Sequence, residues 1–416
     1  MSAPAAMTEV IPVETRGRLP ALVQVLAILC LAIAERAICW NQRPPDMALF
    51  LEPWFAHIVH YGPVQAFAHP FSNYEPAYLY LLAIGSFAHG VFATMTIIKI
   101  LSIAGTLFLT LALGDLLNAA GVDRRRALLL LILPSAAIND ALLAQCDALW
   151  TGACILALAA MIRGRTLRAM FWCGVAISFK AQAAFIAPVI VGAMIGRRPP
   201  LWQWLVPALV FLATLVPPWL LGWPAMKLLT VYVHQVSIDQ LAGRLANPWM
   251  IGTMFGEDVA RQWFVIGYAA AGTAALTIAA IAARSARDPR ILILLAALAG
   301  TALPFLLPKM LERYYFLGDV MTLALALTMR HELASFAVRA VQLASILTHL
   351  TYTYFFYEPW PTLVGAVFAA AGLGAMCVLA APSFKSLITD LRTFASARLA
   401  SLAIPGAIAR RAGGTS

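Results

Sequence analysis

The chain has 416 residues, 62% of them hydrophobic and only 12% charged, with a mean hydropathy of +0.82. These values exclude a soluble globular domain and place the chain among polytopic membrane proteins. The net charge of +10 does not point to nucleic acid, because the arginines cluster in short loops between apolar runs, where cytoplasmic loops anchor helices.

Residues 1–19 lack the compact pattern of a cleavable signal, and the apolar run 21–40 is long enough to span a bilayer, so a retained first helix is expected. A long polar break follows, Trp40-Asn41-Gln42-Arg43-Pro44-Pro45-Asp46, continuing through Glu52-Pro53-Trp54 to Ser72-Asn73-Tyr74-Glu75-Pro76. Further apolar runs at 92–117, 127–138, 149–162, 169–179, 183–195, 201–221, 263–283, 291–307, 315–329, 333–356 and 362–381 bring the expected crossings to about 12. Their length and their Ala, Leu and Val content predict helices rather than barrel strands. The expected fold class is therefore all-α: one polytopic helical membrane domain over 1–381, with a cytoplasmic tail over 382–416. The six cysteines show no CxxC or other ligand spacing and read as buried free thiols.

The segment 76–90 is apolar but short for a span. If it lies on the outer face, Arg124-Arg125-Arg126, the clusters at 163–168, 197–198 and 284–290, Arg330, and the C-terminal Lys385, Arg392, Arg398, Arg410 and Arg411 all share the side of Arg16 and Arg18. If it crosses, every later loop inverts and the positive-inside rule is broken repeatedly. It is therefore expected to lie on or dip into the outer face. The outer side then holds two long loops, 41–90 with its juxtamembrane helices and 222–261, and a polar set that includes Asp46, Glu52, His57, His60, His69, Glu75, Asp140, Gln145, Asp147, Lys180, His234, Asp239, Arg244, Asn247, Lys309, Glu312 and Arg313. One site assembled from several outer loops is the expectation.

Asp46 reads either as an N-cap for a helix running to His60 or as a general base for an acceptor hydroxyl. Lys180 interrupts an apolar region in Phe179-Lys180-Ala181-Gln182; an ammonium there is costly, and either an anionic head group or a structural pair with Asp147 or Asp140 would compensate it. In Pro308-Lys309-Met310-Leu311-Glu312-Arg313-Tyr314, two cations flank a carboxylate: a phosphate clamp with Glu312 near sugar hydroxyls, or an interfacial anchor. His57, His60 and His69 resemble no strict metal-ligand set. No glycine-rich phosphate loop or nucleophile elbow is present.

In this order, four blocks resemble the GT-C superfamily of membrane glycosyltransferases, in particular the bacterial relatives of the GPI mannosyltransferase II family, with a more distant similarity to dolichol-linked glucosyltransferases. The blocks are 46–62, 72–82, Ala144-Gln145-Cys146-Asp147-Ala148-Leu149-Trp150 with Ser178-Phe179-Lys180-Ala181-Gln182, and Leu307-Pro308-Lys309-Met310-Leu311-Glu312-Arg313-Tyr314. The resemblance implies a GT-C-like fold and an inverting, mannosyltransferase-like hexosyl transfer at the outer face, from a polyprenyl-phosphate-linked sugar to a glycolipid or glycan acceptor. It implies Asp46 as general base, Lys180 and Arg313 near the donor phosphate, and Gln145 and Asp147 at the sugar. Tyr74, Glu75, Gln182, Asn247 and Glu312 complete the expected sugar and acceptor site. Where relatives often read His-Glu-Arg-Tyr, this chain has Leu311, and His234 and Lys309 are the candidates to replace the missing histidine. Ala144 stands where a glycine is usual. No cofactor or metal is required, although a divalent ion is compatible with the set. Partners are the lipid-linked donor, the acceptor and membrane lipids, with no nucleic acid. The absence of Asn-x-Ser/Thr sequons and the Ala- and Arg-rich usage lean toward a bacterial inner membrane, with the site facing the periplasm. The rival expectation is a lipid or solute transporter or flippase, which predicts midplane sites and inverted repeats.

Overall fold

The computed structural model describes residues 21–237, 245–254, 256, 261–354 and 360–403; Arg16, Arg18, Asp239, Arg244, Arg410 and Arg411 lie outside the described residues. Among the described residues every named element is a helix, and seven helices are long and apolar enough to cross a membrane. The chain is a polytopic helical membrane protein. Helix α1 covers Ala21–Cys39, α2 Glu52–Tyr61, α3 Pro76–Ser86, α4 Thr94–Ala119, α5 Asp147–Ile162, α6 Thr166–Phe179 and α7 Ala187–Arg197. Then come α8 Val206–Leu221, α9 Phe264–Arg284, α10 Pro289–Leu306, α11 Phe316–Thr328, α12 Glu332–Thr353 and α13 Trp360–Ala403.

Neighbours in sequence pack side by side, α4 on α5, α5 on α6, α10 on α11 and α12 on α13. Lipid offers no hydrophobic drive for this, so close approach of backbones has to supply it. Gly192 and Gly196, four residues apart on α7, let α9 in: a Cβ at Gly196 would lie 2.0 Å from the Ala283 carbonyl oxygen, and one at Gly192 2.2 Å from that of Ala279. Gly300 and Gly318 join α10 to α11 in the same way.

The expected span over 127–138 is not a regular helix. It is built from 3-10 turns over Arg124–Ile132, one α-turn over Pro134–Ala137 and a π-turn over Ile138–Leu142. Pro134 holds Leu133 extended and breaks the helix there. At about 1.5–2 Å of rise per residue, the mixed segment over 124–142 covers roughly the 30 Å of a hydrocarbon core, which residues 127–138 alone would not reach. Irregular backbone at such depth needs protein partners. Arg36 of α1 supplies them, donating Nη1 to the Leu131 carbonyl at 2.8 Å and Nη2 to Asp140 Oδ2 at 2.7 Å. A second cation, the fully buried Lys99 of α4, caps the end of α1 by donating to the carbonyls of Cys39, Trp40 and Gln42 at 3.0, 2.6 and 2.8 Å.

Two boundaries differ from expectation. The apolar run at 76–90 forms only α3, Pro76–Ser86, about 16 Å long and roughly half a hydrocarbon core. The run expected to end at 381 continues as helix to Ala403, because the Leu, Lys, Arg and Ala residues after Pro382 are good helix formers. An ion pair between Arg284 and Asp390 ties that extension to the end of α9.

Candidate active site

Asp46 starts the π-turn Met47–Leu51 that leads into α2, and its side chain makes no capping bond to that helix. The carboxylate faces a cavity of about 390 Å³ instead. The other polar groups arrive from helix ends. Gln145 and Asp147 precede or open α5, Lys180 follows α6, Glu312 and Arg313 precede α11, and Tyr352 lies in the last turn of α12. Successive helices run in opposite directions, so these ends meet on one end of the bundle.

Oδ2 of Asp46 accepts from Gln145 Nε2 at 3.0 Å and from Arg313 Nη1 at 2.9 Å, and Oδ1 accepts from the Tyr352 hydroxyl at 2.9 Å. The same Arg313 Nη1 donates to Glu312 Oε1 at 2.6 Å, while Arg313 Nε is 3.9 Å from Asp147 Oδ2 and has no hydrogen-bond partner. Lys180 Nζ donates to Asp147 Oδ1 at 2.6 Å and to Gln145 Oε1 at 3.4 Å, and lies 5.1 Å from the Tyr74 ring centre. Asp147 also accepts from Trp150 Nε1 and Asn139 Nδ2, each at 2.9 Å. It occupies the first turn of α5, where the helix dipole favours a negative charge.

An ion triad and an ion pair therefore share one amide. Asp46–Arg313–Glu312 and Asp147–Lys180 are bridged by Gln145, whose carbonyl also accepts from the Tyr74 hydroxyl at 3.3 Å. Burial without pairing would cost several kcal/mol per ion, so each charge here keeps an opposite partner. Burial pushes the Glu312 carboxyl up from its ordinary value, against the Arg313 guanidinium, which pulls it down. Phe50, Trp54, Tyr74, Phe179, Tyr314 and Tyr352 form the aromatic wall of the cavity, with Gln182, Asn73 and Gln235 at its polar edge.

No protein-family model matches the chain, and no curated protein matches it. Among solved structures, the crystal structure of ArnT from Cupriavidus metallidurans bound to undecaprenyl phosphate is similar at 15% identity, over 89% of this chain and 78% of that one, with a TM-score of 0.49. A likeness at that level leaves the function to be argued from this chain's own geometry.

Of the expected site residues, Asp46, Tyr74, Gln145, Lys180, Gln182, Glu312 and Arg313 line the cavity, and Asp147 lies directly behind Lys180. Glu75, Asn247, Lys309 and His234 are not among the lining side chains. Glu75 is 1% exposed, both its oxygens lack a partner, and burial pushes its carboxyl up to about 8. Asn247 is engaged in holding the end of α10, donating to the carbonyls of Pro304 and Leu307 and accepting from the Trp249 amide. Lys309 sits in a left-handed turn with φ 62°, and His234 is exposed on the short helix Val231–Ser237. The His57 ring stacks on Phe71 at 4.3 Å, and His60 packs against Tyr61. Among the described residues no three His, Cys, Asp or Glu side chains are grouped to hold a metal ion.

Sequence reading gave no site role to Tyr352, Asn139 or Trp150, although Trp150 stands in the third matched block. Trp150 follows Asp147 by three residues and therefore shares its helix face, which was a usable signal. Tyr352 sits at the outer end of the run 333–356, where a tyrosine is ordinarily an interfacial anchor.

Proposed function

We propose that this chain is a glycosyltransferase of the GT-C type, which moves a hexose from a polyprenyl-phosphate-linked donor to a glycolipid or glycan acceptor at the periplasmic face of a bacterial inner membrane. One observation carries the reading: three sequence blocks that resemble the family meet on a single carboxylate, Asp46, through Gln145 and Arg313. Asp46 takes the proton of the acceptor hydroxyl as its oxygen attacks the anomeric carbon. The bond from that carbon to the phosphate oxygen breaks on the opposite face, its electron pair leaves with the polyprenyl phosphate, and the anomeric configuration inverts.

Lys180 and Arg313 balance the phosphate. Both are held in place by carboxylates before substrate arrives, so they stabilise the leaving group without reorganising. Gln145, Tyr74 and Gln182 supply amide and hydroxyl contacts for the sugar, over the apolar faces of Trp54 and Tyr74.

The test is turnover of a panel of radiolabelled undecaprenyl-phosphate hexoses in liposomes carrying an extracted membrane-lipid acceptor fraction. At least one donor is expected to be consumed by the wild-type chain. Asp46→Asn is expected to lose transfer while still retaining labelled donor on gel filtration. Near-normal transfer by Asp46→Asn, or no transfer of any hexose by the wild type, rejects the reading.

A further inference from the structure

We propose that Tyr352 is a positioning residue of this site, and that Oδ1 of Asp46, the oxygen it touches, is the atom that takes the acceptor proton. The inference rests on Asp46 being the base. A carboxylate oxygen has two lone pairs in its plane. On Oδ2 both are used, by Gln145 Nε2 at 3.0 Å and by the charged donor Arg313 Nη1 at 2.9 Å. Among the described residues Oδ1 carries one neutral donor, the Tyr352 phenol at 2.9 Å, and keeps one lone pair for an incoming hydroxyl. The two oxygens thus divide the work. Oδ2 anchors the carboxylate to the donor-phosphate cations, and Oδ1 presents the proton acceptor beside the phenol.

Tyr352 is built to hold that orientation. It is 9% exposed, lines the cavity, and packs against Leu142 and Leu143, which immediately precede the turn bearing Gln145. Asp46 is therefore gripped from α12, from the loop before α5 and from the loop before α11. Among the described residues, the titratable groups facing it are Arg313 and Tyr352 in direct contact, with Glu312 and Asp147 beyond the guanidinium and Lys180 beyond Gln145.

The acceptor's O–H bond breaks with its proton passing to Oδ1, its oxygen bonds to the anomeric carbon, and the phosphate leaves with the electron pair of the broken bond. Tyr352 keeps its own proton throughout. Its loss disturbs this step and not donor binding.

Tyr352→Phe keeps the ring and removes the hydroxyl. Using a hexose donor from the panel that supports turnover, kcat is expected to fall about 10- to 100-fold, the effect of one hydrogen bond to a charged group, with the donor KM unchanged. The phenol favours the ionised carboxylate, so without it the acidic limb of the kcat/KM profile moves to higher pH. 3-Fluorotyrosine at position 352 donates more strongly and is expected to move the limb to lower pH, in a chain whose packing is unchanged. If Asp46→Asn is inactive while neither change at 352 shifts the limb, the inference is wrong and the reading of Asp46 stands. If Asp46→Asn turns over normally, both fall.

Discussion

Glu75→Gln should change how stability depends on pH. Glu75 is buried with no partner for either oxygen, and burial alone raises its carboxyl from 4.5 to about 8. A raised value means that the folded chain prefers the neutral acid. The associated stability is fully present below 4.5 and is lost as the pH rises through about 8. At about 1.4 kcal/mol per unit, the total is on the order of 5 kcal/mol, lost over the range between those two values. Thermal melting of detergent-solubilised protein, followed by tryptophan fluorescence from pH 5 to 9, reads this directly. The wild type should melt progressively lower toward pH 9, whereas Glu75→Gln, which cannot ionise, should show a flatter profile and be the more stable of the two at pH 9. Parallel profiles for the two proteins would mean that Glu75 has a partner or water access, and would refute the reasoning.

Two further outcomes follow from the packing. Arg36→Met leaves Asp140 buried without its cation and should cost about 3–5 kcal/mol, while Arg36→Met combined with Asp140→Leu should recover most of it in a double-mutant melting cycle. Gly196→Leu places a side chain where a Cβ already meets the Ala283 carbonyl at 2.0 Å, and should abolish the monodisperse peak on size exclusion, whereas Gly272→Leu, where a Cβ meets nothing within 4 Å, should leave it intact.

How far the sequence speaks depends on whether a property is local. Apolar length is local, and it predicts the long helices; Asp46, Lys180 and Arg313, expected in one site, line one cavity. The segment over 124–142 is not legible in this way. Its irregular backbone is tolerated only because Arg36, nearly a hundred residues earlier, satisfies the Leu131 carbonyl. Asn247 and Glu75 looked alike as polar groups in outer loops. Their difference lies in partners: Asn247 finds two carbonyls 57 and 60 residues away, and Glu75 finds none. Lys180 kept two readings in sequence, and its 2.6 Å contact with Asp147 shows that a structural pair is present whether or not a phosphate also uses it. The resemblance to GT-C enzymes pointed to carboxylate, amide and guanidinium positions, but not to Tyr352, 38 residues beyond Tyr314, the end of the last matched block.

The buried cation of α1 also constrains the order in which the chain can be assembled. Only 6% of the apolar window of α1 is buried; its packing is against the 124–142 segment, with Arg36 and the Lys99 cap as its polar ties. Arg36 emerges 104 residues before Asp140, and Lys99 arrives 60 residues after Cys39. During synthesis α1 must therefore wait in lipid or at the insertion machinery with an unpaired guanidinium until the 124–142 segment has been threaded. The polar turn that carries Asp46 follows α1 directly, so it takes its final position only then. The Asp46 carboxylate in turn meets its partners only once Gln145, Arg313 and Tyr352 have followed.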